Sequence, residues 1–273
     1  MKVALLQMTS GIDPQANARA IVDAVADAAA GGAAMLFTPE MSGLVDQNRA
    51  RARPHLRAEG DDGVLAATRA AAREHKLWVH LGSLAVDGED GRLANRAFVI
   101  DDQGEIRARY DKLHLFDVDL PSGESWRESA SYAPGEGAVV VGTPAGQLGL
   151  AICYDLRFAD LFRALSNAGA TVLAIPAAFT RPTGAAHWHI LQRARAIESA
   201  AYVISAAQTG THEDGRATYG HSLVVDPWGT VLLDMGEEAG LGFAEIDPAR
   251  VADVRARVPV LAHRRAIPGV VSA

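Results

Sequence analysis

Apolar and polar positions along the chain follow two different periods. Short apolar runs with strand-like spacing alternate with longer stretches in which apolar residues recur every three to four positions. The short runs predict strands at residues 2–8, 34–38, 77–85, 93–100, 105–110, 138–141, 148–152, 171–175, 202–206, 222–225, 231–233 and 241–246. The longer stretches predict helices at residues 16–30, 64–75, 159–168 and 185–200, and a short helix from Pro248.

Turn signals join some of these strands directly. The sequences DDQG at residues 101–104 and TPAG at residues 143–146 each predict a hairpin turn. Hairpins mixed with strand–helix–strand units indicate an α/β fold with one mixed sheet, or two sheets, and helices on the outside. We find no linker or repeat, so we expect a single domain over residues 1–273. Residues 113–134 are predicted to be irregular, and a long irregular segment of this kind is often functional.

The composition is that of an ordinary globular protein and excludes several classes of function. The formal net charge of −7 is spread along the chain, which argues against nucleic-acid binding. No stretch approaches the roughly 20 apolar residues that a membrane span needs. Gln7 interrupts the first apolar run too early for a signal peptide. One cysteine cannot form an internal disulfide, so we expect a cytoplasmic protein.

The segment LGLAICYDLRF contains that cysteine, Cys153, where an apolar run gives way to polar residues. One interpretation is a small buried hydrophobic residue, which is common for a free cysteine. The other is a nucleophile, because Asp155 and Arg157 follow at once and a helix is predicted soon afterwards. A turn from strand to helix can present a nucleophile and lower the pKa of its thiol. The segment by itself leaves both interpretations open.

Two charged residues follow other predicted strands in the same manner. Glu40 follows the strand at residues 34–38 in FTPEM, and Lys112 follows the strand at residues 105–110 in RYDKLHLF. Each alone is typical of a solvated loop charge. Strand ends along one sheet edge can converge on a common site, however, and a cysteine nucleophile needs a base and an oxyanion partner. Together with Cys153 these residues suggest an active site.

The same segments resemble the nitrilase superfamily of carbon–nitrogen hydrolases. The similarity is found in FTPEM, YDKLHLFDVD, GLAICYDLRF, TGAAHW, RARAIES and YGHSLVVDPWGTV, and it extends from Lys2 to about Arg265. The resemblance implies a four-layer αββα sandwich that pairs into a homodimer or a higher homo-oligomer. It also implies that a small-molecule amide is the substrate and that no metal or organic cofactor is needed.

The resemblance further implies a role for each candidate residue. Cys153 would be the nucleophile, Glu40 the general base, and Lys112 the group that stabilises the oxyanion together with the backbone N–H of Tyr154. Glu128, in WRESASYAPG, matches a second glutamate of the family, with an ordinary loop acid as the alternative. We expect Glu128 to hold Lys112 in place or to position substrate or water.

The histidines and ion pairs of the predicted helix at residues 185–200 have simpler interpretations. His187 and His189 form an H-x-H pair, but such a pair on a helix directs its imidazoles apart, so we predict no metal site there. Arg195 and Glu198 are spaced i,i+3 and are predicted to form a structural ion pair.

Within the superfamily the chain is most similar to the Nit branch, through KLHLFDVD, CYDLRF, TGAAHW and VPVLAHRR. Two activities of that branch fit, deaminated glutathione amidase and omega-amidase acting on α-ketoglutaramate or succinamate. The segments YGHSLVVDPWGTV and TPAGQLGLAICYD favour the first, and the second stays open as the alternative.

The substrates of both activities carry a carboxylate, so a cationic group should lie near the pocket. Arg157 and Arg181 are candidates, with plain surface charge as the alternative for each. Thr183 and His187, both in TGAAHW, are further substrate-binding candidates. His187 is expected to pack or to hydrogen-bond beneath the site.

Two alternatives come from other classes of protein. A catalytically silent binding protein on the same fold would be expected to have lost Glu40, Lys112 or Cys153, and all three are present. A thiol-dependent redox protein would need a resolving cysteine, which this chain lacks.

Overall fold

The computed structural model describes residues 1–88, 91–119, 123 and 125–269. The strands are β1 (Lys2–Gln7), β2 (Met35–Phe37), β3 (Trp78–Asp87), β4 (Leu93–Ile100), β5 (Ile106–Asp111), β6 (Asp117–Asp119), β7 (Ser125–Arg127), β8 (Val140–Thr143), β9 (Gly146–Leu150), β10 (Val172–Ala174), β11 (Tyr202–Ser205), β12 (Thr209–Thr211), β13 (Ala217–Tyr219), β14 (Leu223–Val225), β15 (Val231–Asp234) and β16 (Gly240–Glu245). The helices are α1 (Pro14–Ala30), α2 (Arg49–Ala52), α3 (Gly63–His75), α4 (Ala159–Asn167), α5 (Arg181–Ser199) and α6 (Pro248–Arg257). Every strand and helix predicted from the sequence has a counterpart here.

The larger strands form two sheets of six. The first has the order β16-β1-β2-β3-β4-β5, and the second has the order β15-β14-β11-β10-β9-β8. Parallel pairs lie at the centre of each sheet, with β1, β2 and β3 parallel in the first and β9, β10 and β11 parallel in the second. Antiparallel hairpins complete the edges. The prediction of mixed sheets is therefore confirmed in its two-sheet form.

The alternation of side chains along β1 shows how the layers stack. Val3 and Leu5 join the apolar cluster that continues into the second sheet. Ala4 and Leu6 face the other way, into a cluster with Ile21 and other residues of α1 and α3. Because successive strand residues point to opposite faces, one face of the sheet meets helices and the other meets a sheet. The fold is the predicted αββα sandwich.

Helix ends follow local capping chemistry. Asp13 caps α1 by accepting the backbone N–H of Gln15 at 2.9 Å, and Asp62 caps α3 by accepting that of Leu65 at 2.8 Å. Helix α5 begins four residues before its predicted start at residue 185. Pro182 lies in its first turn, where its fixed φ and missing N–H suit a helix.

The segment at residues 113–134 is less irregular than predicted. Strands β6 and β7 pair antiparallel as a short ribbon, with Asp117 opposite Arg127. Residues 120–122 and 124 fall outside the described part of the chain. A second short ribbon, β12 with β13, was not predicted and joins Thr209 to Tyr219 in register. Among the helices described, none combines the length and the apolar character needed to cross a membrane.

Candidate active site

A cavity of about 780 Å³ opens where the two sheets and their connecting loops meet. Glu40, Lys112, Glu128 and Cys153 all line it. They come from four separate segments, the loops after β2, β5 and β7 and the turn after β9. The structure therefore brings together the four residues that the sequence proposed as catalytic.

Glu40 is held at this site by three N–H donors. Its side chain is buried, and Oε1 accepts hydrogen bonds from Lys112 Nζ at 2.9 Å and Asn95 Nδ2 at 3.0 Å. The second oxygen, Oε2, accepts the backbone N–H of Ala178 at 2.9 Å. These contacts fix both oxygens of a carboxylate that has almost no access to bulk water.

Lys112 lies between two carboxylates. Its ammonium is buried and donates to Glu40 Oε1 at 2.9 Å and to Glu128 at 2.9 Å and 3.2 Å. Burial alone would lower the pKa of Lys112, but the charges of Glu128 and Glu40 outweigh burial and hold that pKa well above its usual value. Lys112 is therefore a fixed cation in the cavity wall.

Glu128 organises the side of the site opposite Glu40. In addition to Lys112, it accepts the backbone N–H of Phe116 at 2.7 Å and the Asn95 amide at 3.1 Å. Asn95 thus bridges the two glutamates from strand β4, where it is buried. Sequence reasoning missed Asn95, although an amide within the largely apolar strand β4 was a usable signal.

Cys153 occupies a strained turn. Its φ of 48° lies in the left-handed region, which is uncommon for a residue with a side chain and clusters at functional sites. Its backbone N–H donates to the Pro176 carbonyl at 2.9 Å, and the 3-10 helix Cys153–Arg157 begins at it. The apolar run after β9 therefore ends in a turn that holds the thiol at the cavity wall.

Asp155 stabilises the turn at Cys153 through hydrogen bonds. Its fully buried carboxylate accepts the backbone N–H of Ile152 at 2.9 Å, the hydroxyl of Tyr110 at 2.6 Å and the backbone N–H of His114 at 3.0 Å. These contacts join the nucleophile turn to β5 and to the loop that carries Lys112. Asp155 therefore has a structural role and is not a solvent-exposed charge.

The Cys153 thiol keeps its proton at rest. Burial raises its pKa well above the usual value, and the negative charge of Glu40 raises the pKa further. The charge of Lys112 acts in the opposite direction without reversing the shift. An attack by this thiol therefore requires that a base remove the proton at the same time.

Two of the four substrate-binding candidates lie at the cavity. Arg157 and Thr183 line it. The Arg157 guanidinium lies 5.9 Å from the ring centre of Tyr154 and 5.5 Å from that of Phe179. Its hydrogen-bonding contact is with His187 Nδ1 at 3.1 Å, so no carboxylate of the fold neutralises it among the described residues.

The other two candidates lie elsewhere. Arg181 is not among the cavity-lining residues described; it donates to the Thr218 carbonyl at 3.4 Å and lies 3.9 Å from Glu237. His187 is exposed and reaches the site only through Arg157. Both residues are in the first turns of α5, and their placement follows from its early start.

A different set of histidines could hold a metal ion. His189, His221 and Asp234 each offer one ligand atom, and these atoms lie within 4.8 Å of one another. Asp234 is 2.9 Å from each histidine. The sequence analysis considered His189 only as a pair with His187 and so did not identify this cluster. The cluster lies outside the cavity lining. The predicted ion pair of Arg195 with Glu198 is confirmed at 2.7 Å.

Comparison with known proteins gives consistent results. A family model described as carbon–nitrogen hydrolase matches residues 2–256. The chain is 38% identical over 272 residues to the deaminated glutathione amidase of Yersinia enterocolitica, which covers 98% of this chain and 94% of that protein.

Solved structures show the same fold. The NitFhit protein of Caenorhabditis elegans superposes with a TM-score of 0.89 at 39% identity, over 97% of this chain and 65% of that chain. Nit3 of Saccharomyces cerevisiae, a member of branch 10 of the nitrilase superfamily, superposes with a TM-score of 0.86 at 27% identity, over 97% of each chain.

Proposed function

The chain belongs to the carbon–nitrogen hydrolase family and is an amidase, and we propose that it cleaves a linear amide through a thioester on Cys153. The observation that carries this proposal is the ion-paired cluster of Glu40, Lys112 and Glu128 in the cavity wall that also holds the Cys153 thiol. Glu40, Lys112 and Cys153, which would act as base, cation and nucleophile, are all buried.

In the first step, the Cys153 sulfur attacks the amide carbonyl while Glu40 accepts the thiol proton. The raised pKa of the thiol makes this transfer necessary, since the protein stabilises no free thiolate at rest. The tetrahedral intermediate collapses as the C–N bond breaks, and Glu40 gives the proton to the leaving amine. The acyl group remains on sulfur.

The negative charge on the carbonyl oxygen is met by Lys112 and by the backbone N–H of Tyr154. Lys112 donates to Glu40 at 2.9 Å and to the two oxygens of Glu128 at 2.9 Å and 3.2 Å, and the substrate oxygen would replace the longest of these three contacts. The Tyr154 N–H belongs to the first turn of a 3-10 helix, where N–H groups lack partners within the helix. Loss of one such donor typically costs on the order of 10²–10³ in rate.

The second step hydrolyses the thioester. Water takes the position of the departed amine, Glu40 accepts its proton, and the hydroxide adds to the carbonyl carbon. Collapse of this intermediate breaks the C–S bond and returns the proton to sulfur. Each protein group acts twice, so the enzyme needs no further acid or base.

We propose deaminated glutathione as the substrate. The support is the similarity to curated enzymes of that name and a cavity of about 780 Å³, which is within the usual range of about 300–1,000 Å³ for ligand sites. A short amide such as α-ketoglutaramate, which has a single carboxylate, would leave much of that volume empty. The acyl half of both compounds is the same α-keto diacid, so one assay for that acid measures both reactions.

The test of the substrate is a comparison of kcat/KM for the two amides. We expect deaminated glutathione to be preferred by at least tenfold. A preference for α-ketoglutaramate would make the enzyme an omega-amidase, and failure to cleave either amide would contradict the proposed function.

Arg157 is proposed to bind the carboxylate of the acyl half, with Thr183 beside it. Arginine pairs with a carboxylate through two parallel hydrogen bonds, which lysine cannot reproduce. Arg157→Lys should therefore raise KM by about tenfold, the loss of one hydrogen bond to a charged group. Arg181→Lys makes the same change at an arginine that is not among the cavity-lining residues described; it is the matched control and should leave KM unchanged. Equal effects of the two substitutions would refute this role of Arg157.

We also propose a homodimer or higher homo-oligomer located in the cytoplasm. Ile190 and Ile197 of α5 are 70% and 49% exposed, and Trp228 on an adjoining turn is 54% exposed. Ile197 packs against Gly229, so these side chains belong to one region of the surface. Light scattering should give at least twice the protomer mass of 28.8 kDa, and a monomer at micromolar concentration would contradict the proposal.

A further inference from the structure

Arg216, in the turn between β12 and β13, lines the same cavity as Cys153. Its guanidinium donates no hydrogen bond to any residue that the structure describes, and its Nε is buried without a partner. The nearest carboxylate, Asp214, lies 3.6 Å away. Buried arginine donors without acceptors are rare in folded proteins, so this one calls for an explanation.

Asp214 forms an ion pair with the Arg216 guanidinium at 3.6 Å but accepts no hydrogen bond from it among the described residues. Oδ1 accepts the backbone N–H of Arg216 at 2.9 Å, and Oδ2 accepts the backbone N–H of Gln47 at 2.8 Å. Its role is to shape the turn. The Arg216 side chain is left as a cation with several unused N–H groups.

Another arginine of the cavity lining shows what a structural arginine looks like in this protein. Arg53 donates two hydrogen bonds to Asp87, at 2.7 Å and 2.9 Å. Both bonds come from Nη1, and this carboxylate at hydrogen-bonding distance neutralises the charge of Arg53 within the fold. The contrast indicates that Arg216 is kept for an acceptor that the fold itself does not contain.

Trp126, on β7, holds Arg216 in position. The guanidinium carbon of Arg216 lies 4.7 Å from the Trp126 ring centre, a cation–π distance. The indole N–H of Trp126 is also buried and has no acceptor within the described part of the chain. Two neighbouring donor groups therefore lack acceptors at the same end of the cavity.

An aromatic wall connects this end to the nucleophile. The Tyr154 ring, next to Cys153 in sequence, contacts Phe116 at 5.1 Å between centres, and Phe116 contacts Trp126 at 6.3 Å. Trp126 in turn contacts Arg216. The Tyr154 ring also lies 5.9 Å from Arg157, so the wall has an arginine at each end.

We propose that Arg216 binds a carboxylate at the far end of the substrate's amine half. This inference rests on the proposed function, in which Arg157 binds the carboxylate of the acyl half. The two cations then match the two ends of an amide that joins a keto diacid to a dipeptide. A dipeptide spans roughly 7 Å, which suits a wall made of successive aromatic contacts. The site thereby selects amides whose leaving amine ends in a carboxylate over amides that release ammonia.

The test measures how the preference between two substrates changes. Deaminated glutathione and α-ketoglutaramate share the acyl half and differ only in the amine half. Arg216→Met should lower the ratio of their kcat/KM values by about 10- to 100-fold, the range for a lost charge-assisted contact, mostly through the KM of the longer amide. Arg216→Lys should give a smaller change. The control Arg53→Met removes another arginine of the cavity lining and should leave the ratio as in the wild type.

A second substrate separates recognition from structural damage. Deaminated glutathione with its terminal carboxylate converted to a carboxamide should be a poor substrate for the wild type. It should be cleaved by Arg216→Met as well as the unmodified compound is, because the two changes remove the same contact. Equal losses on both natural amides, or a carboxamide penalty that persists in Arg216→Met, would overturn the inference. If the wild type cleaves only α-ketoglutaramate, the proposed substrate and this inference fail together.

Discussion

Replacement of Glu128 by glutamine perturbs the cluster without changing its shape. The carboxylate accepts Lys112 Nζ at 2.9 Å and 3.2 Å, Asn95 Nδ2 at 3.1 Å and the backbone N–H of Phe116 at 2.7 Å. Glutamine keeps one acceptor oxygen but places an NH₂ group where the other oxygen was. Phe116 and one Lys112 contact share Oε2, whereas Asn95 and the other Lys112 contact share Oε1. Either placement of the NH₂ group therefore sets a donor against Lys112, together with either the Phe116 N–H or the Asn95 amide.

The size of the effect follows from these contacts. A hydrogen bond to a charged group contributes about 1.5–3 kcal/mol, against about 0.5–1.5 kcal/mol between neutral groups. The variant loses one acceptor outright and weakens the remaining contact to Lys112. We therefore expect a loss of about 2–3 kcal/mol in the positioning of the oxyanion donor, or roughly a 30- to 150-fold fall in kcat. The charge of Glu128 also helps to keep the pKa of Lys112 high against burial, so this pKa should fall in the variant.

Steady-state kinetics with deaminated glutathione measures this loss. We expect kcat to fall while KM stays within about threefold, because Lys112 stabilises charge that exists mainly in the transition state. Glu136→Gln is a matched control, since Glu136 is an exposed acid eight residues further along the chain. A variant that keeps the wild-type kcat, or that changes KM alone, would refute the role assigned to Glu128.

Three further substitutions test the surroundings of the site. Tyr110→Phe removes a buried 2.6 Å hydrogen bond to Asp155 and should lower the free energy of unfolding by about 1.5–3 kcal/mol in urea denaturation; no change would contradict the role of Asp155 in the nucleophile turn. Asn95→Asp adds a third carboxylate beside Glu40 and Glu128, so like-charge repulsion should lower kcat at least tenfold; an unaltered kcat would show that Asn95 is not needed. Burial lowers the pKa of His80 to about 3, so the unfolded chain binds the extra proton below about pH 6.5 and stability falls as pH drops from there towards 3. His80→Leu removes this effect. As pH falls through that window, the free energy of unfolding of the variant should rise relative to that of the wild type by about 1.4 kcal/mol per pH unit. A difference between the two proteins that does not depend on pH would contradict the prediction.

Local signals in the sequence were enough to predict most of the architecture. The hairpin turn predicted at DDQG is confirmed, since this segment joins β4 to β5. Its Gly104 adopts a left-handed φ of 77°, which such a turn favours. The pairing of β6 with β7, and of β12 with β13, was not predicted. These three-residue strands each contain polar residues, so no apolar run marks them, whereas the equally short β2, β10 and β14 are wholly apolar.

Sequence analysis could predict those residues of the candidate site that lie at the ends of strands, because such ends can converge on one site. Glu40, Lys112 and Cys153 each follow a strand, and the two-sheet packing brings them to one cavity. Asn95 was missed because it lies within a strand, where its partners come from loops 33 and 55 residues away in sequence. Arg216 was missed for a similar reason, since its significance depends on which donors the folded protein leaves without acceptors.

The thioester on Cys153 is the central claim, and mass spectrometry of acid-quenched enzyme tests it most directly. The chain has one cysteine, so any thiol adduct is at a known position. During turnover of deaminated glutathione, the account predicts a protein mass increased by the acyl half, located on the peptide that contains Cys153 and absent from Cys153→Ala. Product formation by Cys153→Ala at the wild-type rate, with no adduct at any time in either protein, would contradict it.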